Sequence, residues 1–100
     1  MIIVIGRVEY DPAATERLQP ALDAMMRATW AESGCLSYSI AIESRSEGVA
    51  TVVERWKSEA DMRAHLESPH MALFNDAIAD AVRGMDVKIY DVANERTLEL

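Results

Sequence analysis

The sequence predicts an α+β domain in which two helices cover one face of a four-stranded antiparallel sheet. At 100 residues the chain has the length of one small domain. Half of the residues are hydrophobic and only four are glycine, which is typical of a globular chain and not of a disordered one. Apolar residues recur at every second position in some segments, as in strands, and at every third or fourth position in others, as in helices. The segments follow one another in the order β-α-β-β-α-β.

The first strand covers residues 2–10, which are rich in β-branched side chains. Asp11 and Pro12 then form a helix start, an N-cap acceptor followed by proline at the first helical position. The helix has one apolar face with spacings of three and four, formed by Leu18, Leu22, Met25, Met26 and Thr29. We expect Pro20 to kink this helix or to shorten it to a start near Glu16.

A hairpin follows the first helix, which we expect Gly34 to end. From residue 35 to 42 the apolar period is two. The side chains expected to share one face there are Leu36, Tyr38, Ile40 and Ile42. Residues 43–48 are polar and hold the turn, and residues 49–56 return as the next strand.

A proline breaks the second helical region into two parts. Ser58 is a helix cap with Asp61 three residues later, in a position like that of a capping box. Ser68 and Pro69 stop this short helix and start another. The expected buried stripe of the second part consists of Leu73, Phe74, Ala77, Ile78, Ala81 and Val82. We expect Gly84 to close it.

The last strand is predicted at residues 85–92, and residues 94–100 form a polar tail of the same single domain, 1–100. The complete order is ferredoxin-like. No helix remains to cover the second face of the sheet, although the strands carry apolar residues on both faces. We therefore expect a homodimer joined through the sheet faces.

Charge and composition argue against several classes of partner. The formal charge of −7 and the pI near 4.7 disfavour nucleic acid and peripheral membrane binding, because both need a basic surface. No apolar run approaches the ~20 residues that cross a bilayer. Residues 1–5 are too few for a signal-peptide core. Cys35 is the single cysteine, so no internal disulfide forms, and we expect a cytoplasmic protein.

A set of motifs spans most of the chain. In order, it comprises Glu32-Ser33-Gly34-Cys35-Leu36-Ser37-Tyr38, then Glu54, Trp56 and Ser58, then His65, and finally Ser68-Pro69-His70 with Phe74. In this combination the sequence resembles the antibiotic biosynthesis monooxygenase domain family. The resemblance implies a dimeric α+β barrel that oxidises quinol-like or polyketide aromatic substrates without flavin, haem or metal, and hence no cofactor.

A haem-degrading branch of the same superfamily differs at its key positions. Where that branch has an asparagine, a tryptophan and a histidine, this sequence has Gly6, His65 and Asn75. Haem degradation is therefore not expected.

His65 and His70 are the candidate catalytic residues, because a cofactor-free oxygenase needs a base that ionises an electron-rich phenol. His65 adjoins Met62 and Leu66 on the short helix, and Asp61 lies one turn earlier, where it could orient the imidazole ring. The alternative for His65 is a boundary histidine bonded to a carbonyl or to water.

His70 shares a helix face with Leu73 and Phe74, so we expect it to point inward. It also lies in the first turn, where the helix dipole favours the neutral imidazole of a base. The alternative is a structural histidine at the helix break. The two histidines are five residues apart across a proline, and no cysteine or carboxylate spacing completes a ligand set, so no metal site is expected.

Five further residues are candidates for substrate binding: Trp56, Phe74, Tyr38, Glu54 and Met62. Trp56 can stack on an aromatic ring or simply fill the core. Glu54 is either a buried carboxylate with a raised pKa or one half of a salt bridge to an arginine of a partner. Tyr38 either lines a pocket or fills the barrel.

Two functions follow from these residues. The first is a small dimeric oxygenase-like enzyme that acts on a small aromatic, quinol or polyketide-type molecule. The alternative is a non-catalytic ligand-binding or stress-associated dimer with the same fold.

Overall fold

The computed structural model describes residues 1–100 and contains four strands and three helices. In chain order the elements are β1 (Ile2–Tyr10), α1 (Thr15–Trp30), β2 (Cys35–Ser44), β3 (Val49–Trp56), α2 (Glu59–Leu66), α3 (Pro69–Ile78) and β4 (Val82–Asp91). The strands form one antiparallel sheet in the order β2-β3-β1-β4. The predicted fold class is therefore confirmed, with the proline-broken segment present as two separate helices.

Side chains along β1 and β3 point alternately to the two sides of the sheet, and the two sides differ in burial. Val4 is buried on the side that the helices cover, whereas its neighbour Ile5 is exposed on the other side. Ile5 lies between Val53 of β3 and Lys88 of β4. We call this uncovered side, centred on Ile3, Ile5, Val53 and Tyr90, the open face. All the helices lie on the opposite side.

The start of α1 follows the sequence signal closely. The Asp11 side chain accepts a hydrogen bond from the Ala13 amide and caps a 3-10 turn, Pro12–Ala14, that leads into the helix. The α-helix begins at Thr15, one residue before the expected start, and Pro20 lies inside it. It ends at Trp30, so residues 31–34 form a turn before β2.

A register shift at the start of β2 overturns the expected alternation. The pairing with β3 slips between Cys35 and Ser37. As a result Cys35 packs against the core, while Leu36 is exposed and does not share the face of Tyr38 and Ile40. A bulge moves a side chain to the other face, and strict alternation cannot anticipate it.

The serine caps of α2 and α3 are as predicted. The Ser58 hydroxyl accepts from the Asp61 amide, and the Ser68 hydroxyl accepts from the Met71 amide. The Ser68 hydroxyl also donates to the carbonyl of His65, which ties the end of α2 to the start of α3. The break therefore has a fixed geometry.

The predicted end of α3 is wrong. The helix stops at Ile78, and Val82 already belongs to β4, where it pairs with Tyr10. Gly84 consequently lies inside a strand and does not close a helix. Leu73, placed in the buried stripe by its spacing, is exposed, whereas Met71 and Phe74 of the same helix pack against the core.

None of the helices is long and apolar enough to cross a membrane. Residues 92–100 form neither helix nor strand, and Leu98 and Leu100 are exposed there. The polar tail of the sequence prediction therefore lies outside the packed body of the domain.

Candidate functional site

A cavity of about 280 Å³ lies between the sheet and the helices. Every strand and every helix contributes a side chain to its wall, and the only lining residues that are not apolar or aromatic are Glu54, His65 and Asn75. Its volume is near the lower end of the roughly 300–1,000 Å³ found for small-molecule pockets. An apolar ligand with one or two rings is the class that suits this wall.

His65 is the most deeply buried titratable side chain on the wall. It is 1% exposed, and its Nδ1 lies 2.8 Å from Oε2 of Glu32, in the turn between α1 and β2. Since an ionised carboxylate only accepts, the Nδ1–H donates and the neutral ring keeps a lone pair on Nε2. The arrangement therefore leaves Nε2 as the nitrogen available to a ligand in the cavity.

A glycine allows Glu32 to come so close. A Cβ built on Gly34 would lie 2.1 Å from Cγ of Asp61, so only glycine lets the turn pack directly on the first turn of α2. The Gly34 carbonyl also accepts a hydrogen bond from the Lys57 amide, which anchors the turn to the end of β3. Glu32 is thereby held beside His65.

Aromatic rings hold the imidazole of His65 on two sides. The centroid of its ring is 4.9 Å from the Trp56 centroid and 5.4 Å from the Tyr38 centroid. Trp56 is completely buried and does not line the cavity, so of its two alternatives from the sequence it fills the core. Its position behind the imidazole restricts the ring, because packed aromatic neighbours leave few alternative rotamers.

Glu54 brings a second carboxylate to the same end of the cavity. Its Oε1 accepts a 2.8 Å hydrogen bond from Nε1 of Trp56. Burial raises the pKa of Glu54, and this hydrogen bond and the neighbouring His65 oppose that rise. Of the two alternatives from sequence, the buried carboxylate is present, whereas Arg55 pairs with Glu95 on the opposite side of the strand.

Tyr38 and Cys35 are both uncharged at neutral pH. Burial, followed by the nearby charge of Glu54, raises the pKa of the Tyr38 phenol. Burial, followed by the charges of Glu32 and Glu54, raises the pKa of the Cys35 thiol. Tyr38 can therefore donate a hydrogen bond into the cavity but cannot act as a base, and Cys35 is not an activated nucleophile.

The predicted site residues separate into two groups. Those on the cavity wall are Tyr38, Glu54, Met62, His65 and Phe74. Trp56 and His70 lie behind it. His70 does not line the cavity; its Nε2 is 3.3 Å from Oε1 of Glu32, so both histidines face one carboxylate.

Asp61 was expected to orient His65, and this was wrong. Its Oδ2 accepts a hydrogen bond from the Ser58 hydroxyl instead, as part of the helix cap. The orienting group is Glu32, 33 residues earlier in the chain. Glu32 opens the motif that carries the family resemblance, which was the only sequence signal for it.

A model of the family described as "Antibiotic biosynthesis monooxygenase" matches residues 1–77. This chain belongs to that family. The match covers β1 through α2 and most of α3, and therefore includes Glu32 and all the predicted site residues, but not the part of the cavity wall that β4 supplies.

Two relatives of this chain align with it over most of their own length. The Escherichia coli protein named "Probable quinol monooxygenase YgiN" is 27% identical over 100 residues, which cover 89% of this chain and 95% of that one. Rv0793 of Mycobacterium tuberculosis, named a "Putative monooxygenase", is 39% identical over 69 residues, 69% of this chain and 67% of that one.

Solved structures share the fold. The structure of Rv0793 has a TM-score of 0.83 at 31% identity and covers 96% of this chain and 98% of that chain. A structure from Deinococcus radiodurans, described with the same family name, has a TM-score of 0.87 at 23% identity, with 99% of each chain covered. At that identity the second likeness concerns the fold alone.

Proposed function

We propose that this protein is a cofactor-independent monooxygenase that oxidises a small aromatic quinol in its internal cavity. The observation that carries the proposal is the Glu32–His65 pair, which places a buried, oriented imidazole on an otherwise apolar wall. The coarser function, a monooxygenase-like member of the family, is given by the family match and by the names of the relatives. The quinol substrate and the residue roles are our inference.

The first step is ionisation of the quinol. Nε2 of His65 takes the proton of a ring hydroxyl, and Glu32 stabilises the imidazolium that forms. Tyr38 is placed to donate a hydrogen bond to an oxygen of the substrate, because its phenol remains protonated beside the cavity. The apolar wall keeps water away from the resulting anion.

The second step uses dioxygen. The anion passes one electron to O2, and the semiquinone and superoxide combine to form a C–O bond at a ring carbon that carries hydrogen. The imidazolium returns its proton to the peroxide. His65 then removes the hydrogen of that carbon as a proton, the O–O bond breaks, and water leaves. The products are a hydroxyquinone and water, so four electrons pass from the quinol to O2.

We also propose that the protein is a homodimer joined through the open face. Support comes from three large apolar side chains at its centre, Ile5, Val53 and Tyr90, which are 41–47% exposed. The ion pair between Arg7 and Glu43 lies at the edge of this patch, as expected of a polar rim around an apolar interface.

Oxygen uptake with a series of naphthoquinols tests the enzymatic proposal. The His65→Ala variant should lose roughly 10²–10⁴-fold in kcat, the range for a positioned general base. Arg63→Gln, on the exposed side of α2, is the matched surface control and should match wild type. Tight quinol binding without uptake would favour the non-catalytic alternative, and uptake that His65→Ala leaves unchanged would remove His65 from the mechanism.

A further inference from the structure

Glu32, His65 and His70 bring three metal-ligating side chains together from three segments. One ligand atom from each lies within 4.8 Å of the other two. Glu32 comes from the turn before β2, His65 from the last turn of α2, and His70 from the first turn of α3. Two imidazoles and a carboxylate are a donor set that binds first-row divalent transition metals.

His70 carries the clearest sign of an unfilled site. Its Nε2 is buried and makes no hydrogen bond. The 3.3 Å separation from Oε1 of Glu32 is within ion-pair range, but the two groups are not aligned for hydrogen bonding. A buried ring nitrogen without a partner is costly, and coordination to a metal ion would satisfy it.

The distances between the ligand atoms are close to those of a metal centre. Zinc lies about 2.0–2.2 Å from nitrogen and oxygen ligands, so two ligands of a tetrahedral site are roughly 3.3 Å apart. Nδ1 of His65 lies 2.8 Å from Oε2 of Glu32, and Nε2 of His70 lies 3.3 Å from Oε1, the other oxygen of the same carboxylate. All three ligand atoms lie within 4.8 Å of one another, so rotation of the side chains is needed to bring the widest pair to the separation found around a metal ion.

The cluster is also electrostatically and mechanically suited to a cation. Glu54 adds a second carboxyl group near His65, and the whole chain has a formal charge of −7. The imidazole of His65 is confined by Trp56 and Tyr38, so one ligand is already held in place. Such fixed neighbours reduce the entropy lost when a metal binds.

We propose that Glu32, His65 and His70 form a binding site for a divalent transition-metal ion, with water completing the coordination. Neither Glu32 nor His70 lines the cavity, so the ion would lie behind His65 and connect the turn, α2 and α3. Metal on Nδ1 of His65 would leave the ring proton on Nε2, where the proposed base needs a lone pair. The ion would therefore hold the enzyme in an inactive form.

Isothermal titration of the tag-free protein with Zn²⁺, after chelator treatment and without quinol, tests the site directly. Wild type should bind one ion per chain, and the Glu32→Gln and His70→Gln variants should bind at least tenfold more weakly. Cys35→Ser is the matched control, because Cys35 is the nearby residue with the highest affinity for zinc, and it should bind as wild type does.

A thermal-shift measurement supplies the second readout. Zn²⁺ should raise the Tm of wild type and of Cys35→Ser more than the Tm of His70→Gln, and the same measurement shows whether the variants are folded. Equal binding by wild type and His70→Gln, or no binding by wild type at 100 µM Zn²⁺, would overturn the proposal. Oxygen uptake in the presence of chelator is a separate measurement, so failure of the metal site and failure of the enzymatic proposal are distinguishable.

Discussion

The two faces of the sheet use the same strands for different purposes, and consecutive residues of β3 show the contrast. Glu54 and Trp56 point to the helix side, where they hydrogen-bond to each other beside His65. Val53 and Arg55 point to the open face, where one is an exposed apolar side chain and the other pairs with Glu95. The comparison teaches that one side of the strand builds the candidate site, whereas the other presents the apolar surface of the proposed dimer interface.

The largest expected effect is on the open face. Val53→Glu would place two unpaired carboxylates in the proposed symmetric interface, each costing roughly 3–5 kcal/mol if buried without a partner. Sedimentation velocity at micromolar concentration should show a dimer for wild type and for Arg63→Gln but a monomer for Val53→Glu. Because Val53 does not line the cavity, quinol binding per chain should persist. A dimeric Val53→Glu protein would show that the subunits do not meet through this face.

The next effect is at the turn on the helix side. Gly34→Ala forces a methyl group against Asp61 and should lower the free energy of unfolding by about 1–3 kcal/mol, as overpacking does. It should also reduce kcat, because the turn that holds Glu32 must move. Gly84→Ala is the matched control, since the added Cβ would lie 3.5 Å from its nearest neighbour, an ordinary contact. Denaturant unfolding and oxygen uptake check both variants, and equal losses for the two glycines would contradict the close-approach argument.

The smallest effect concerns the pH dependence of stability. The pKa of Glu54 in the folded protein lies above its ordinary value of 4.5. At pH values between the ordinary pKa and the folded pKa, Glu54 is therefore protonated in the folded protein but ionised in the unfolded chain. Because the folded state binds more protons there, the free energy of unfolding falls as the pH rises through this range. Glu54→Gln should remove this part of the decline. Denaturant unfolding of chelator-treated protein between pH 4 and pH 8 measures it.

Tyr10→Phe is the matched control for that series. It deletes a buried hydroxyl that shares a 2.9 Å hydrogen bond with Thr15, at the far end of the same cavity. The loss should be about 1 kcal/mol and the same at every pH in the range. If Glu54→Gln also shifted stability equally at all pH values, Glu54 would not be the group that titrates.

Local patterns predicted most of the fold. The period of two marks the strands, and Asp11, Ser58 and Ser68 cap helices as their positions indicate. The errors occur where tertiary contacts override a local signal. Pairing with Tyr10 recruits Val82 into a strand, and the bulge after Cys35 turns Leu36 outward.

The candidate site was only partly predicted, again because local features can be read from the sequence and tertiary contacts cannot. His65 could be selected because it flanks a helix break and an apolar stripe, which are local features. Its partner Glu32 is 33 residues away, and only the fold brings the two side chains within 2.8 Å. The convergence of His70 on the same carboxylate likewise depends on the angle between α2 and α3, which sequence spacing does not encode.

The proposed acid–base pair and most of the cavity wall lie on different secondary-structure elements, and this separation affects how the protein could change its ligand. His65 lies on a helix and its partner Glu32 on a turn behind the cavity, whereas most of the wall consists of apolar strand residues such as Val52, Val87 and Ile89. Exchanging one apolar strand residue for another alters the shape of the chamber but leaves the acid–base pair in place. If the proposed reaction holds, single exchanges of this kind would admit new substrates without removing its base.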